Sequence, residues 1–466
     1  MSAIATYLDL LSESLALESQ AQMDLYHQQH KLYFGNRLMC MVLRPRFLSF
    51  DQYHFLQERV EILLGAFHKI QTAALQNAEF RSQFGLSPEE DELAMLDPGC
   101  HPFPTSRFDS FYVSNDELRF TEYNSETPAG AAYNFALTQM FLALPIFREF
   151  QRKYQVYPLP THYGVMATLI RGYQQWLGRK ELPRIAILDW KEVPTYSEFI
   201  LYEQLFRHHG LDAVIADPRE LSYSGEKLRT SDGKPIDLIY KRVLISELIE
   251  RGGLDNMVIR AVRNRHVCMI NPFRCKILYK KASFAVLSDE RNAHLFTEKE
   301  LAAIHEHIPW TRVVTRRTSA TPTVRKACPG IVKEVASRVN GAVVDLPEFM
   351  LKNKDALVLK PNDDYGGKGI VLGWTVEQSV WEKAIETALN TPYIVQERVN
   401  LPKEVFPYVS DGKLQTSEIM LDTNPFVCHG EYMDGCLSRI SSSDLLNVTA
   451  GAGSTVPTFI VEKRME

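Results

Sequence analysis

The sequence predicts an α/β protein of two or three domains, and three features of its 466 residues indicate this class. Apolar residues recur at three- and four-residue spacing over residues 3–32 and 51–78, which predicts amphipathic helices. From residue 184 to 270, short apolar strands alternate with helical stretches, as in a parallel α/β unit. Residues 356–371 have the pattern of a strand, a glycine-rich loop and a second strand.

The composition predicts an ordinary globular protein and excludes several other classes. Hydrophobic residues make up 45% of the chain and charged residues 23%, so no disordered tail is expected. The formal net charge of −5 gives no reason to expect nucleic acid or an anionic membrane as a partner. Seven cysteines, an odd number without a CxxC pair, indicate reduced thiols and a cytoplasmic location. Acidic residues interrupt the N-terminal apolar positions, so we expect no signal peptide, and no stretch is apolar enough for a membrane span.

Changes of pattern along the chain divide it into four predicted segments. An acidic, proline-bearing stretch follows the first helices and marks the first boundary. The segments are a helical one over 1–95, one with a hairpin over 96–182, an α/β one over 183–270 and one with the glycine-rich loop over 271–466. A homodimer through the N-terminal helices is left open.

A predicted hairpin near residues 107–124 carries a set of oxygen ligands. Its two strands flank a turn-prone segment, so Asp109 near the start of the first strand faces Glu122 near the end of the second. Asn124 follows Glu122 by two residues and lies on the same face. Such hard oxygen donors suit Mg²⁺, which proteins often share with nucleotide phosphates. The alternative is a solvated hairpin face with an Asx-turn at Asn124.

Two further features predict a place for a small-molecule carboxylate. A helix begins near Pro128, and the N-terminus of a helix favours anions. The predicted strands of the α/β segment end in charged residues, among them Asp189 and Arg242. Ligands bind at this edge of open α/β sheets, and Arg242 is a candidate carboxylate contact. An arginine at a strand end is, however, more often a salt-bridge partner.

The glycine-rich loop predicts a binding site for a polyphosphate. Gly366, Gly367 and Gly369 let the backbone come close to a bulky anion, and Lys360 and Lys368 add positive charge. The pattern is neither of the two common phosphate-loop motifs, GxxxxGK[ST] and GxGxxG. An ordinary hairpin turn that contains Gly-Gly is the alternative.

Three other stretches are candidates for nucleotide contacts. Lys280 and Lys281 precede an apolar helix, and a lysine there would contact phosphates as a point charge, although adjacent lysines are usually solvated. The strand that begins at Tyr393 continues into a stretch whose backbone can offer a donor and an acceptor to an adenine edge. Its candidate residues are Gln396, Glu397 and Val399. Arg439, on a C-terminal strand, would stabilise developing negative charge.

Together these motifs resemble the ATP-grasp superfamily. The resemblance is carried by a strand that ends in Lys-Pro before a GGKG loop, a strand that ends in Gln-Glu-Arg-Val, and a hairpin with Asp and Glu-x-Asn. Because the hairpin precedes the loop, the order resembles the circularly permuted branch typified by glutathionylspermidine synthase, where an RFD segment precedes a stretch like EYNSETPAG. Only the synthetase part is similar, since no Cys-His pattern of an amidase domain is present. The resemblance implies a circularly permuted ATP-grasp fold in which residues 183–270 form an inserted substrate domain.

The resemblance also implies an activity. The expected enzyme is an ATP-dependent ligase that joins a small-molecule carboxylate to an amine through an acylphosphate, with ATP and Mg²⁺ as cofactors. The implied metal ligands are Asp109, Glu122 and Asn124; the implied phosphate contacts are Lys281 or Lys280, Lys360 and the Gly366–Gly369 loop; and Arg107 or Arg439 would stabilise the transferred phosphoryl group. A phosphotransferase of the same fold and a non-catalytic ATP-binding protein are the alternatives.

Overall fold

Three sheets organise the described part of the chain. The computed structural model describes residues 2–315, 345–364, 366–442 and 453–464. These residues form a nine-stranded mixed sheet, a four-stranded parallel sheet and a four-stranded antiparallel sheet, here called the small sheet, together with two ribbons of two strands each. The ribbons pair Tyr33–Phe34 with Arg37–Leu38 and Ser222–Ser224 with Lys227–Arg229.

Helices cover the stretches where apolar residues recur at helical spacing. Serine side chains cap the first helices: Ser49, for example, accepts a hydrogen bond from the amide of Gln52. One predicted helix is split at Pro145, which begins the next helix, and another is broken after Gly253, whose φ is +63°. The α-helices of the described residues are Ala3–Leu10, Glu13–His30, Phe50–Gln76, Ala78–Ser82, Pro88–Ala94, Ala131–Ala143, Pro145–Lys153, Thr161–Leu177, Tyr196–His208, Ile245–Gly252, Met257–Arg263, Lys276–Tyr279, Ala282–Leu287, Glu298–His307, Leu346–Lys352 and Gln378–Ala388.

The nine-stranded sheet joins an early hairpin to the C-terminal strands. Its main path runs in the order Lys403–Ser410, Lys413–Leu421, Tyr432–Ser441, Asn424–Cys428, Thr105–Ser114 and Glu117–Asn124. The strand Gly453–Lys463 pairs with Tyr432–Ser441 and continues to Arg46–Leu48 and Tyr154–Pro158. Arg107 on the early hairpin pairs with Phe426, so residues separated by more than 300 positions become neighbours. We call Thr105–Ser114 and Glu117–Asn124 the acidic hairpin.

The parallel sheet is the α/β unit that the sequence predicts. Its strands lie in the order Cys268–Ile270, Leu238–Lys241, Ile185–Leu188 and Ala213–Ala216, and every pair is parallel. The helix Thr161–Leu177 packs on the first of these strands and Tyr196–His208 on the last. All four residues of Ile185–Leu188 are buried, which explains why this strand is apolar without alternation.

The small sheet contains the predicted strand, loop and strand. Its strands lie in the order Thr311–Val313, Tyr393–Glu397, Leu357–Pro361 and Val371–Leu372. Trp381 packs behind the sheet in a cluster with Leu359 and Val395, and its indole nitrogen donates to the Met350 carbonyl at 2.8 Å. The glycine-rich loop therefore projects from a sheet that has its own packed core.

The N-terminal helices pack against the rest of the molecule. Phe67 of the long helix Phe50–Gln76 lies 4.4 Å, between ring centroids, from Tyr123 of the acidic hairpin. Tyr7 of the first helix packs with Phe147 and Phe150 in a second cluster. The four predicted segment boundaries stay a prediction. No helix of the described residues is both long and apolar enough to cross a bilayer.

Candidate active site

Two cavities share one wall, which is formed by the acidic hairpin and its neighbours. The larger has a volume of about 300 Å³ and extends to the carboxyl edge of the parallel sheet. The smaller, of about 110 Å³, lies against the small sheet. Asp109, Glu122, Ile370 and Arg439 line both cavities. Ligands bound on the two sides would therefore meet at this wall.

Asp109 is the most heavily paired carboxylate of the wall. Arg107 donates to it through Nε at 2.9 Å, and Arg439 through Nη2 at 2.7 Å. Asn124 Nδ2 donates to the same carboxylate at 3.1 Å, so three predicted site residues converge on it. Burial raises the pKa of Asp109, but the two guanidinium groups outweigh burial and hold the pKa below the usual value. Asp109 is therefore ionised at neutral pH.

Glu122 lies directly opposite Asp109 in the hairpin register, as the sequence predicts. Its Oε1 is 3.1 Å from Lys281 Nζ, which also donates to the Asp364 carbonyl at 2.6 Å. Lys360 Nζ donates to Gln396 Oε1 at 2.7 Å and to the Thr121 carbonyl. Burial lowers the pKa of Lys360 to about 8, against the opposing effect of Glu122. Two predicted phosphate lysines are thus brought to the hairpin.

The two adjacent lysines have different partners in the structure. Lys280 Nζ lies 2.7 Å from both Glu90 Oε2 and Asp363 Oδ2, and Asp363 also pairs with Lys276 at 2.7 Å. Lys280 is therefore part of a buried ion cluster, which holds Asp363 at the start of the glycine-rich loop. Lys281 is the lysine that contacts the acidic hairpin.

Asp422 is a site residue that the sequence analysis missed. Its Oδ2 accepts from Arg439 Nε at 2.8 Å, and its Oδ1 accepts from the Arg439 amide at 2.7 Å and from Asn424. Burial raises the pKa of Asp422, while Arg439 opposes this. The carboxylate fixes the guanidinium against Asp109. The only sequence signal was a single aspartate in the otherwise apolar run before Asn424-Pro425.

The glycine-rich loop reaches the larger cavity with two of its predicted residues. Gly366 and Gly367 line that cavity with φ values of +67° and +74°, a backbone region that favours glycine. Lys368 and Gly369 are exposed and line neither cavity, and Tyr365 lies outside the described residues.

The stretch predicted to hold adenine lines the smaller cavity. Gln396, Glu397 and Val399 all border it, together with the apolar side chains of Val358, Leu372, Trp374 and Leu401. The amides of Glu397 and Arg398 donate to carbonyls within the protein. Among the described residues, the Val399 amide has no such acceptor, which leaves it available to a ligand.

The two features predicted to bind a carboxylate are occupied by a residue of the chain itself. Glu198 Oε1 accepts from the Gly130 amide at 2.7 Å, at the start of the helix Ala131–Ala143. Its Oε2 lies 3.1 Å from Arg242 Nη2, and both side chains are buried. Arg242 also donates to the Pro128 carbonyl at 2.6 Å. Arg242 lines the larger cavity as a salt-bridge partner, as the alternative interpretation predicts.

The donor set of the hairpin fits Mg²⁺ in type and number. Among the described residues, no group of three His, Cys, Asp or Glu side chains is close enough to hold a metal ion. Asp109 and Glu122 offer two carboxylates, and Asn124 adds an amide oxygen. Mg²⁺ usually takes one or two carboxylates and completes its shell with water and substrate phosphates.

Comparison with known proteins identifies the fold. No protein-family model and no curated protein matches the chain. A glutathione synthetase-like effector from Globodera pallida, solved in the apo form, aligns with a TM-score of 0.57 and 11% identity over 97% of this chain and 99% of that chain. D-alanyl-alanine synthetase A from Vibrio cholerae O1 biovar eltor aligns with a TM-score of 0.28 and 13% identity over 58% and 73% of the two chains, a score too low to indicate a shared fold. The chain therefore has the overall mixed α/β fold of the glutathione synthetase-like effector.

Proposed function

We propose that the protein is an ATP-dependent ligase that joins a carboxylate to an amine. The observation that carries this proposal is the wall that the two cavities share, where Asp109, Glu122 and Arg439 face both sides. A nucleotide in the smaller cavity would present its terminal phosphate at this wall. A carboxylate in the larger cavity would meet it there.

Residues of the small sheet would hold the nucleotide. Trp374, Leu372 and Val358 form apolar walls suited to an adenine ring, and the Val399 amide would donate to its edge. Lys360 and Lys281 would neutralise phosphate charge, since both lie between the small sheet and the acidic hairpin. Asp109, Glu122 and Asn124 would hold Mg²⁺, which would supply positive charge to the phosphates.

The reaction would proceed in two displacements. A carboxylate oxygen of the acid attacks the γ-phosphorus of ATP, the bond to the β-phosphate oxygen breaks, and ADP leaves. The amine nitrogen then attacks the acyl carbon; a C–N bond forms, the C–O bond to phosphate breaks, and the nitrogen loses a proton. Arg107 and Arg439 line the larger cavity beside Asp109 and would stabilise the transferred phosphoryl group.

We further propose that the chain is a circularly permuted ATP-grasp protein. The acidic hairpin precedes the glycine-rich loop in the sequence, yet it pairs with the C-terminal strand Asn424–Cys428. This pairing supports a circular permutation that places the metal-binding hairpin before the glycine-rich loop in the sequence. The parallel sheet would be the substrate domain, because its carboxyl edge borders the larger cavity.

The six described cysteines form no disulfide, which supports a cytoplasmic location.

The test is ADP release in the presence of Mg²⁺ and a panel of amino acids, short γ-glutamyl peptides and amines, with mass spectrometry of the products. We expect ADP release that depends on one acid and one amine, and a product lighter by one water than their sum. Asp109→Asn and Glu122→Gln should each lower the rate at least about a hundredfold. Asp116→Asn, in the exposed turn of the same hairpin, is the matched control and should leave the rate unchanged.

Two results would contradict the ligase. A stable phosphorylated acceptor that gives no amide when amines are supplied would identify a phosphotransferase. Tight ATP binding without turnover by any acid and amine pair would identify a non-catalytic ATP-binding protein.

A further inference from the structure

The part of the larger cavity formed by the parallel sheet carries two carboxylates that the proposed phosphoryl transfer does not use. Asp189 directly follows the strand Ile185–Leu188, and Glu247 lies in the first turn of the helix Ile245–Gly252. Both line the cavity. Trp190 connects them, since its amide donates to Asp189 Oδ1 at 2.8 Å and its indole nitrogen donates to Glu247 Oε2 at 2.8 Å.

Asp189 forms no ion pair among the described residues. The residue is 7% exposed, and among the described residues its Oδ2 has no hydrogen-bond partner. Burial raises the pKa of Asp189 to about 7, and Glu247 adds to this increase. Arg242 and Lys241 lower this pKa from nearby, but Arg242 is held by Glu198 at 3.1 Å and Lys241 Nζ lies 3.5 Å from Glu126 Oε1. A buried carboxylate in a cavity without its own counter-ion is a natural contact for a cationic group of a ligand.

The surroundings favour an organic ammonium group. The neighbouring cavity walls are largely apolar, with Phe34, Val193, Pro194 and Leu244. An ammonium group on an apolar chain would match both the charge of the carboxylates and the character of these walls.

We propose that Asp189 and Glu247 bind the ammonium group of an ω-amino acid whose carboxylate, at the other end of an apolar chain, reaches Arg107 and Arg439. This inference rests on the proposed function, because it names the class of the acid substrate. An ammonium group held by two carboxylates keeps its proton and is therefore not the attacking amine. The cavity thus separates a recognition end at the parallel sheet from a reacting end at the acidic hairpin.

The experiment measures binding by calorimetry in the presence of Mg²⁺ and a non-hydrolysable ATP analogue. The probes are unbranched ω-amino acids of four to eight carbons, each paired with the fatty acid that lacks the amino group. We expect at least one ω-amino acid to bind ten times more tightly or better than its fatty-acid counterpart. Asp189→Asn and Glu247→Gln should each remove most of this preference. Glu192→Gln, whose carboxylate lies nearby but outside the cavity lining, should keep it.

The inference would be overturned if no ω-amino acid bound better than its fatty-acid counterpart. It would also be overturned if the preference for ω-amino acids survived in the Asp189→Asn, Glu247→Gln double variant at an unchanged melting temperature. The proposed function is tested separately. ATP and hydroxylamine are added, and hydroxylamine converts any acylphosphate to a hydroxamate. Hydroxamate formed equally from fatty acids and ω-amino acids would keep the ligase and reject the subsite. Ammonium-dependent binding without hydroxamate would keep the subsite and reject the ligase.

Discussion

Replacing Lys360 by methionine separates the proposed role of this lysine in nucleotide binding from the effect of its buried charge on the free energy of unfolding. The ammonium group lies between the small sheet and the acidic hairpin, where burial lowers its pKa to about 8. Its hydrogen bond to Gln396 Oε1, at 2.7 Å, only partly compensates for burial. We expect the variant to be more stable than the wild type at pH 7 and to lose ATP binding.

The size of the effect follows from two opposing contributions. A lysine with a pKa of 10.5 when unfolded and about 8 when folded makes the native state at pH 7 less stable by at most about 3 kcal/mol. Methionine removes this penalty but leaves Gln396 Oε1 and the Thr121 carbonyl without their donor, which costs about 1–2 kcal/mol. The variant should therefore be more stable by about 1–2 kcal/mol at pH 7.

The sign of this difference depends on pH. Between pH 8 and 10.5 the unfolded lysine keeps its proton while the native one loses it, so the unfolded state binds more protons and the wild type gains stability as pH rises. The advantage of the variant should therefore shrink steadily and be about zero near pH 9.5, as follows from 1.36 kcal/mol per pKa unit. Titrating groups that do not interact with Lys360 cancel in the comparison of the two proteins.

Urea unfolding at pH 7.0, 8.5 and 9.5 measures the stability difference, and calorimetry at pH 7.0 measures ATP binding. We expect ATP affinity to fall at least tenfold. Lys403→Met, on an exposed strand position, is the control and should change neither quantity. A Lys360→Met variant that is less stable than the wild type at pH 7, by an amount independent of pH, would refute the reasoning.

Three further predictions concern neighbouring residues. Lys281→Met should abolish Mg²⁺-dependent ATP turnover with little change in melting temperature. Lys280→Met should instead destabilise the fold by about 3 kcal/mol, because Glu90 and Asp363 each lose one of two lysine partners and keep only Lys276. The opposite pattern would reverse the assignment of the two lysines. Glu198→Gln should cost about 3–5 kcal/mol in urea unfolding, since Arg242 would stay buried without a counter-ion; a loss below 1 kcal/mol would contradict this. Mn²⁺ binding, followed by electron paramagnetic resonance, should be weak without nucleotide and at least tenfold tighter with ATP, because guanidinium groups hold Asp109; equal affinities would contradict the shared site.

Much of the fold could be predicted because its signals are local. The strands Ile185–Leu188 and Ala213–Ala216 are short apolar runs, and the glycine-rich loop lies between two such runs. The break at Pro145 was missed, because we predicted one continuous helix there although proline favours the first position of a helix. The pairing of Arg107 with Phe426 could not be predicted, because strand partners far apart in sequence are selected by packing rather than by local pattern.

The candidate site likewise has features that could be predicted from local sequence and features that could not. The spacing of Asp109 and Glu122 around a short turn was enough to place them opposite each other. The different partners of Lys280 and Lys281 could not be predicted, because Lys280 pairs with Asp363, which lies more than 80 positions away in the sequence. Asp422 was missed for a similar reason, since its importance lies in the contact with Arg439 and not in any motif.

The pairing of charges in the site would let one set of residues serve both the proposed metal and the proposed polyphosphate. Asp109 is held by Arg107 and Arg439, and Glu122 is held by Lys281, so in the structure each carboxylate is neutralised by a cation of the chain. Phosphate oxygens would compete for the same cations, and every cation that turns to a phosphate would release a carboxylate oxygen for Mg²⁺. Metal and nucleotide would then enter by exchange of partners, and each would bind tightly only when the other is present. The buried Asp422 would keep its contact to Arg439, so the guanidinium would stay beside the phosphate when its contact to Asp109 is lost.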